Sequence, residues 1–113
     1  MKLITDNVKL EEIKTIATAT FGNLVKAVVD IDEEVLAIDA ELHSDLESLL
    51  LDKGSKQNSL WGINLYPEMQ DKDFIEFDSM INMRPSQGNR TRGIESEGIR
   101  KKVAAIVAKR ITR

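Results

Sequence analysis

Four short stretches of this chain alternate apolar and polar residues, which is the pattern of β-strands with one buried face. The first two cover residues 24–31 and 35–42, and three acidic residues between them form a polar turn. The other two cover residues 60–66 and 74–83, and Pro67 ends the earlier of these. Stretches with apolar residues at helical spacing lie before, between and after the two pairs. The predicted order of elements is therefore α-β-β-α-β-β-α.

Capping residues and glycines mark the ends of the predicted helices. The first helix starts near Val8 and ends at Gly22, because glycine adopts the left-handed conformation without steric cost. Ser44 and Glu47 have the spacing of a capping box, so the second helix is expected to begin there. Ser96 is placed to cap the last helix.

These elements predict an α+β fold in a single globular domain spanning residues 1–113. Two hairpins joined by a helix predict one four-stranded sheet with the helices on its apolar face. If the second and third strands are neighbours, the helical crossover makes that pair parallel, and the sheet is then mixed. A hydrophobic content of 42% in 113 residues is enough for one core.

Composition excludes several classes of protein. The chain has no cysteine, which rules out disulfides, thiolate nucleophiles and cysteine-based zinc sites. No apolar run approaches the roughly 18 residues of a membrane span. The first residues lack the apolar core of a secretory signal, so a cytoplasmic location is the default expectation. No motif for a cofactor is present.

Charge is divided sharply along the chain. Residues 1–83 carry 7 Lys+Arg against 17 Asp+Glu, whereas residues 84–113 carry 9 against 2. The two halves therefore have net charges of −10 and +7, within a total of −3. Such halves are expected either to fold against each other or to offer the basic part to an anion.

Residues 84–93, with the sequence RPSQGNRTRG, contain three arginines, two glycines and no acid. Arginine binds phosphate or carboxylate through two parallel hydrogen bonds, and glycine lets backbone N–H groups converge on an anion. This segment also precedes the last helix, whose N-terminal dipole favours negative charge. The candidate ligand-binding residues are Arg84, Gln87, Gly88, Asn89, Arg90 and Arg92. The structural alternative is a connection whose arginines pair with acids of the sheet.

Three motifs of the chain are distinctive. They are WGINLYP at residues 61–67, FIEFDSMIN at residues 74–82 and RPSQGNR at residues 84–90. In these motifs the chain resembles a bacterial family of small stand-alone proteins catalogued only as a domain of unknown function. The resemblance implies a small stand-alone bacterial protein, and it brings no activity, substrate or catalytic residue.

The strand pattern places many acids on the face opposite the core, because side chains alternate with a period of two. Six carboxylates fall at these positions: Asp30, Asp32, Asp39, Glu41, Glu76 and Asp78. Their mutual repulsion would be offset by a metal ion or by the arginines of residues 84–93. A solvated face with internal ion pairs is the simpler interpretation.

Asp39, Glu41 and His43 form a candidate metal site. On one strand these three side chains would project from the same side, with next-but-one residues about 7 Å apart. Two carboxylates and an imidazole suit a divalent metal or a general acid–base pair. Because His43 lies where the strand should end, a local hydrogen bond at the start of the next helix is the competing role.

Three functions remain open, and the residues do not decide whether the protein is an enzyme. The leading hypothesis is a non-enzymatic domain that binds a phosphate-bearing small molecule or RNA through residues 84–93. The first alternative is a metal-dependent hydrolase of phosphate esters that uses Asp39, Glu41, Asp78 and His43. The second is an interaction protein, a homodimer formed through the small residues Ala104, Ala105 and Ala108 of the last helix. No membrane partner is expected.

Overall fold

A computed structural model describes all 113 residues. It contains three α-helices, namely α1 (Leu10–Ala19), α2 (His43–Asp52) and α3 (Glu97–Arg110). Its strands are β1 (Lys2–Ile4), β2 (Val8–Lys9), β3 (Val25–Asp30), β4 (Val35–Ile38), β5 (Leu60–Leu65), β6 (Ile75–Glu76) and β7 (Ile111–Thr112). The α+β class is confirmed.

The main sheet has five strands in the order β1-β4-β3-β5-β6, and every neighbouring pair is antiparallel. The prediction of a four-stranded, mixed sheet is therefore wrong in two respects. β5 pairs with β3 rather than with β4, with Val28 opposite Gly62, so the α2 crossover creates no parallel pair. The free edge of β4 is taken by the N-terminal strand β1, with Leu3 opposite Ala37.

Helices cover both faces of the sheet, whereas one covered face was predicted. α1 and α3 pack on the face that carries Ala27, Ile38 and Ile63, and this side holds the larger core cluster. α2 packs on the opposite face and forms a second cluster, made of Val28, Ala37, Leu46, Leu50 and Leu60. The face predicted to be acidic and solvated is therefore apolar along its middle.

α2 begins two residues earlier than the predicted cap at Ser44 implies, and it lacks the capping box. Leu42 occupies the N-cap position and no side chain caps the helix, because the helix already starts at His43. The cap predicted for the last helix is confirmed, since the Ser96 hydroxyl accepts a hydrogen bond from the Ile99 N–H at 3.2 Å.

β6 has only two residues, although residues 74–83 were predicted to be the longest strand. Beyond Glu76 the chain leaves the sheet, and the buried side chain of Asn82 takes its place beside β5. Its Oδ1 accepts the Gly62 N–H at 2.8 Å and its Nδ2 donates to the Gly62 carbonyl at 2.9 Å. The carboxamide thus supplies the donor and the acceptor that a further strand residue would have supplied.

The ends of the chain lie together and bring the two charged halves into contact. β2 and β7 form a parallel pair, with Val8 opposite Ile111. Nearby, Lys109 donates to the Glu34 carboxylate at 2.9 Å, which lowers the pKa of that carboxyl. Arg110 donates to the Glu34 carbonyl at 2.8 Å. None of the three helices has the length and apolar character needed to cross a membrane.

Candidate functional site

Residues 84–93 form a closed loop that the backbone itself fastens. The Arg84 N–H donates to the Asn89 carbonyl at 2.7 Å, and the Asn89 N–H donates back to the Arg84 carbonyl at 3.1 Å. Between them lies one turn of 3₁₀ helix at Pro85–Gln87, followed by Gly88 in the left-handed conformation (φ 82°). The N–H groups of Gly88 and Asn89 are both used inside the loop, so neither points at an external anion.

The guanidinium of Arg84 is directed inward. It donates to three backbone carbonyls, those of Ile81 at 2.9 Å, Gln57 at 2.9 Å and Leu60. It also stacks on the ring of Trp61, with its central carbon 4.6 Å from the ring centroid. Burial lowers the pKa of this guanidinium, against an opposing effect of the Glu47 carboxylate. Arg84 therefore anchors the loop to the start of β5.

Gln87 supports the same anchor, because its side-chain oxygen accepts a hydrogen bond from Arg84 at 3.2 Å. A guanidinium with four acceptors in the protein has little donor capacity left for a ligand. Two of the predicted ligand-binding residues, Arg84 and Gln87, thus use their side chains in hydrogen bonds within the protein.

Asn89 fixes the second half of the loop. Its side chain is 4% exposed, and Nδ2 donates to the carbonyls of Asn82 at 2.7 Å, Thr91 at 3.1 Å and Gly93 at 2.8 Å. Its Oδ1 accepts the Glu95 N–H at 2.9 Å. The Nδ2 group has two N–H donors, so its three contacts include one shared hydrogen bond, and the oxygen accepts one more. These contacts tie residues 89–95 to one another and to Asn82 before any ligand is present.

The other two arginines of the loop are exposed. Arg92 forms a two-point ion pair with Asp78, with Nε to Oδ1 at 2.7 Å and Nη2 to Oδ2 at 3.3 Å. About half of each side chain remains accessible, at 53% and 40%. The Arg90 side chain makes no hydrogen bond or ion pair within the protein. Its backbone N–H is held by the Glu95 carboxylate.

Arg92 and Asp78 adjoin a polar surface at the end of the sheet where α2 begins. His43 lies there, only 8% exposed, with Nε2 at 2.8 Å from the Ile63 carbonyl. Because a carbonyl only accepts, Nε2 carries the proton and the neutral ring leaves Nδ1 unprotonated. Burial lowers the pKa of His43, with the charges of Lys26 and Arg92 acting in the same direction and the Ile63 hydrogen bond and the Asp78 carboxylate opposing it.

Glu76 organises the edge of this surface. One of its oxygens accepts from Asn64 Nδ2 at 2.8 Å and from the Tyr66 hydroxyl at 3.0 Å. Burial and this hydrogen bond raise the pKa of Tyr66. Lys26, Asn64 and Glu76 lie side by side on three neighbouring strands, so Glu76, the one acid of β6, has an amide rather than another acid as its neighbour.

The residues of the predicted metal site are not aligned on a strand. β4 ends at Ile38, and Asp39 adopts the left-handed conformation (φ 71°). Glu41 is exposed, and the buried ring of His43 is bonded to Ile63. The structure contains no group of three or more His, Cys, Asp or Glu side chains that could hold a metal ion.

The remaining acids of the predicted acidic face have local structural roles. Asp30 is 1% exposed and accepts the N–H groups of Asp32 and Glu33 at 2.9 and 3.0 Å, which closes the turn after β3. Its second oxygen accepts the Ser55 hydroxyl at 2.6 Å. The predicted acidic cluster is thus dispersed among a turn, an ion pair and a hydrogen-bond network.

Asn82 and Glu95 were missed as residues that shape the loop. Asn82 is fully buried and, besides Gly62, its Nδ2 binds the Arg92 carbonyl at 3.0 Å, so it links the loop to β5. The available signal was an asparagine inside a stretch assigned to a strand, where asparagine is unfavourable. Glu95 lies two residues after the loop, and an acid so near three arginines was the available signal for an internal partner.

Comparison with known proteins assigns the family. No curated protein and no solved structure matches the chain. A family model described as a protein of unknown function, DUF5674, matches residues 2–110. That match covers nearly the whole chain, including β1, the loop and all of α3. The chain therefore belongs to the DUF5674 family.

Proposed function

We propose that this protein is a non-enzymatic domain that binds a phosphate group at the outer rim of residues 84–93. The phosphate would belong to a small molecule or to the backbone of RNA. Arg90 and Arg92 are the residues proposed to contact it. The inner part of the loop, with Arg84, Gln87 and Asn89, has the role of holding that rim in place.

The free guanidinium of Arg90 carries the proposal. It is exposed and makes no hydrogen bond or ion pair in the protein, so a phosphate would not have to displace an internal partner. The loop beneath it is cross-linked by Arg84 and Asn89. A preformed loop loses little conformational entropy on binding, which favours affinity.

Arg92 supports the proposal in a second way. Its partner Asp78 is 40% exposed, and exposed ion pairs contribute only about 0–1 kcal/mol. Sharing this guanidinium with a doubly charged phosphate is therefore energetically accessible. Two arginines at positions 90 and 92 would then provide charge-assisted hydrogen bonds to one group.

A binding experiment on matched double variants tests this proposal. The melting temperature is measured with inorganic phosphate and adenosine monophosphate, and fluorescence anisotropy is measured with a labelled single-stranded RNA of 20 nucleotides. We expect at least one probe to bind the native protein and Arg90→Ala/Arg92→Ala to weaken binding tenfold or more. The pattern among the three probes distinguishes a small phosphate compound from RNA.

The control is Lys101→Ala/Lys102→Ala, which removes the same charge from the exposed side of α3. Equal loss of binding in the two double variants would show a general charge effect and contradict a site on the loop. Failure of all three probes to bind the native protein would also contradict the proposal.

A further inference from the structure

α3 and the edge strand β6 enclose a groove on the side of the sheet that α2 does not cover. Two adjoining cavities of about 480 and 270 Å³ form it, and Asp71, Ile75 and Ala104 line both. No residue of the loop 84–93 lines either cavity. The groove is therefore separate from the site proposed above.

The floor of the groove is apolar. Ile75 and Phe77 project from the β6 side and Ala104 from α3, and all three are accessible to some extent. The second cavity is lined mainly by hydrophobic residues: Phe74, Ile75, Ala104, Val107, Ala108 and Ile111. The small alanines of α3 leave the space that a larger side chain would fill.

The charges at the rim are predominantly positive. Four cations and two carboxylates line the two cavities: Lys72, Arg100, Lys101, Arg113, Asp71 and Glu97. Lys101 pairs with Glu97 at 3.5 Å, with both side chains more than 70% exposed, so this pair is weak. Lys72, Arg100 and Arg113 have no carboxylate partner.

We propose that this groove binds an extended peptide segment that combines apolar with acidic side chains. The apolar side chains would occupy the two cavities, and the acidic ones would meet Lys72, Arg100 and Arg113. The protein has a net charge of −3, so most of its surface repels an acidic segment. The positive groove attracts such a segment and so directs it to this site.

The length of the groove sets the length of the segment. Glu97 and Ala108 lie at its two ends along α3. Eleven helical positions separate them, a rise of about 16 Å, which equals about five residues of extended chain. Hexapeptides are therefore sufficient as probes.

Three fluorescein-labelled hexapeptide pools test the proposal on the full chain. One pool mixes acidic with apolar residues, the second basic with apolar residues, and the third acidic with uncharged polar residues. We expect only the first pool to raise fluorescence polarisation at micromolar protein. In ¹⁵N spectra the same pool should shift the amide signals of Ile75, Ala104 and Ala108.

Charge reversal tests the recognition of the acidic side chains. Lys72→Glu/Arg113→Glu should weaken binding of the first pool at least tenfold. Lys72→Glu alone should also weaken binding while leaving the melting temperature of the protein unchanged. Lys53→Glu/Lys56→Glu, which makes the same change away from the groove, should leave binding intact.

Four results of the peptide experiments would overturn the proposal, and a fifth comes from the protein alone. They are no binding by the first pool, equal binding by the basic pool, equal weakening by the control variant, and signal shifts confined to other parts of the protein. A change of the α3 signals on dilution without peptide would assign the groove to a second copy of the chain, and so contradict the peptide as its occupant.

Discussion

Replacing Asn89 with alanine should destabilise the protein strongly, although the residue lies in a loop. The side chain makes four hydrogen-bond contacts, at 2.7, 2.8, 2.9 and 3.1 Å, to backbone groups of residues 82–95. Alanine removes all four and leaves three carbonyls and one N–H group without their partner.

The expected loss follows from these contacts. The two N–H donors and the one accepted bond amount to about three hydrogen bonds, and at about 1 kcal/mol net each they contribute about 3 kcal/mol. Domains of this size are stable by about 5–15 kcal/mol, so the variant should remain folded at room temperature. At about 4 °C per kcal/mol, the melting temperature should fall by roughly 12 °C.

Urea unfolding followed by fluorescence measures this loss, because the single tryptophan, Trp61, is buried in the native state. The control is Asn58→Ala, which shortens an exposed asparagine whose side chain makes no hydrogen bond. We expect the control to stay within about 0.5 kcal/mol of the native protein. A loss below about 1 kcal/mol for Asn89→Ala would refute the conclusion that this carboxamide holds the loop.

Two further substitutions test the contacts around β5. In Gly62→Ala the new Cβ would lie 2.5 Å from the Ser79 Cβ and 2.6 Å from its Oγ, so urea unfolding should show a loss of about 1–3 kcal/mol. Adding Ser79→Gly removes both clashing atoms and should recover part of that loss; no recovery would count against the clash. Because burial lowers the pKa of His43, its contribution to stability is complete above the unfolded value of 6.5 and falls as the pH drops below it. His43→Gln should reduce the slope of the free energy of unfolding against pH below 6.5, by no more than about 1.4 kcal/mol per pH unit. Equal slopes in both proteins would contradict a lowered pKa for His43.

Strand alternation predicted the centre of the sheet well. The predicted stretches 24–31, 35–42 and 60–66 contain β3, β4 and β5. The predicted hairpin of β3 and β4 is confirmed. The pairing of β5 with β3 was not predictable from alternation, because a period of two fixes the face of a side chain and not its neighbouring strand. β1 was missed because three residues are too short to show a period.

The alternation pattern also failed to predict the second core cluster, the one under α2. Val28 and Ala37 fall on the face that was assigned to solvent, and both are fully buried under α2. Two consecutive buried valines, Val28 and Val29, are typical of a strand covered on both faces. That local departure from alternation was the signal for helices on both sides.

The sequence predicted the partners of the loop arginines only in part. Its arginines were expected to bind an external anion or to pair with acids of the sheet. Arg92 does pair with Asp78, but Arg84 binds backbone carbonyls. Carbonyls belong to every residue, so no residue type in the sequence identifies them as partners.

The most direct test of the loop structure compares the free energies of unfolding of Arg84→Ala and Arg90→Ala in urea. It asks whether Arg84 anchors the loop from inside while Arg90 faces solvent. Arg84 donates to three carbonyls and stacks on Trp61, so its removal should cost about 3–5 kcal/mol. Arg90 has no internal side-chain partner, so its removal should change stability by less than about 0.5 kcal/mol. Equal losses, or a larger loss for Arg90→Ala, would contradict an inward Arg84 and an outward Arg90.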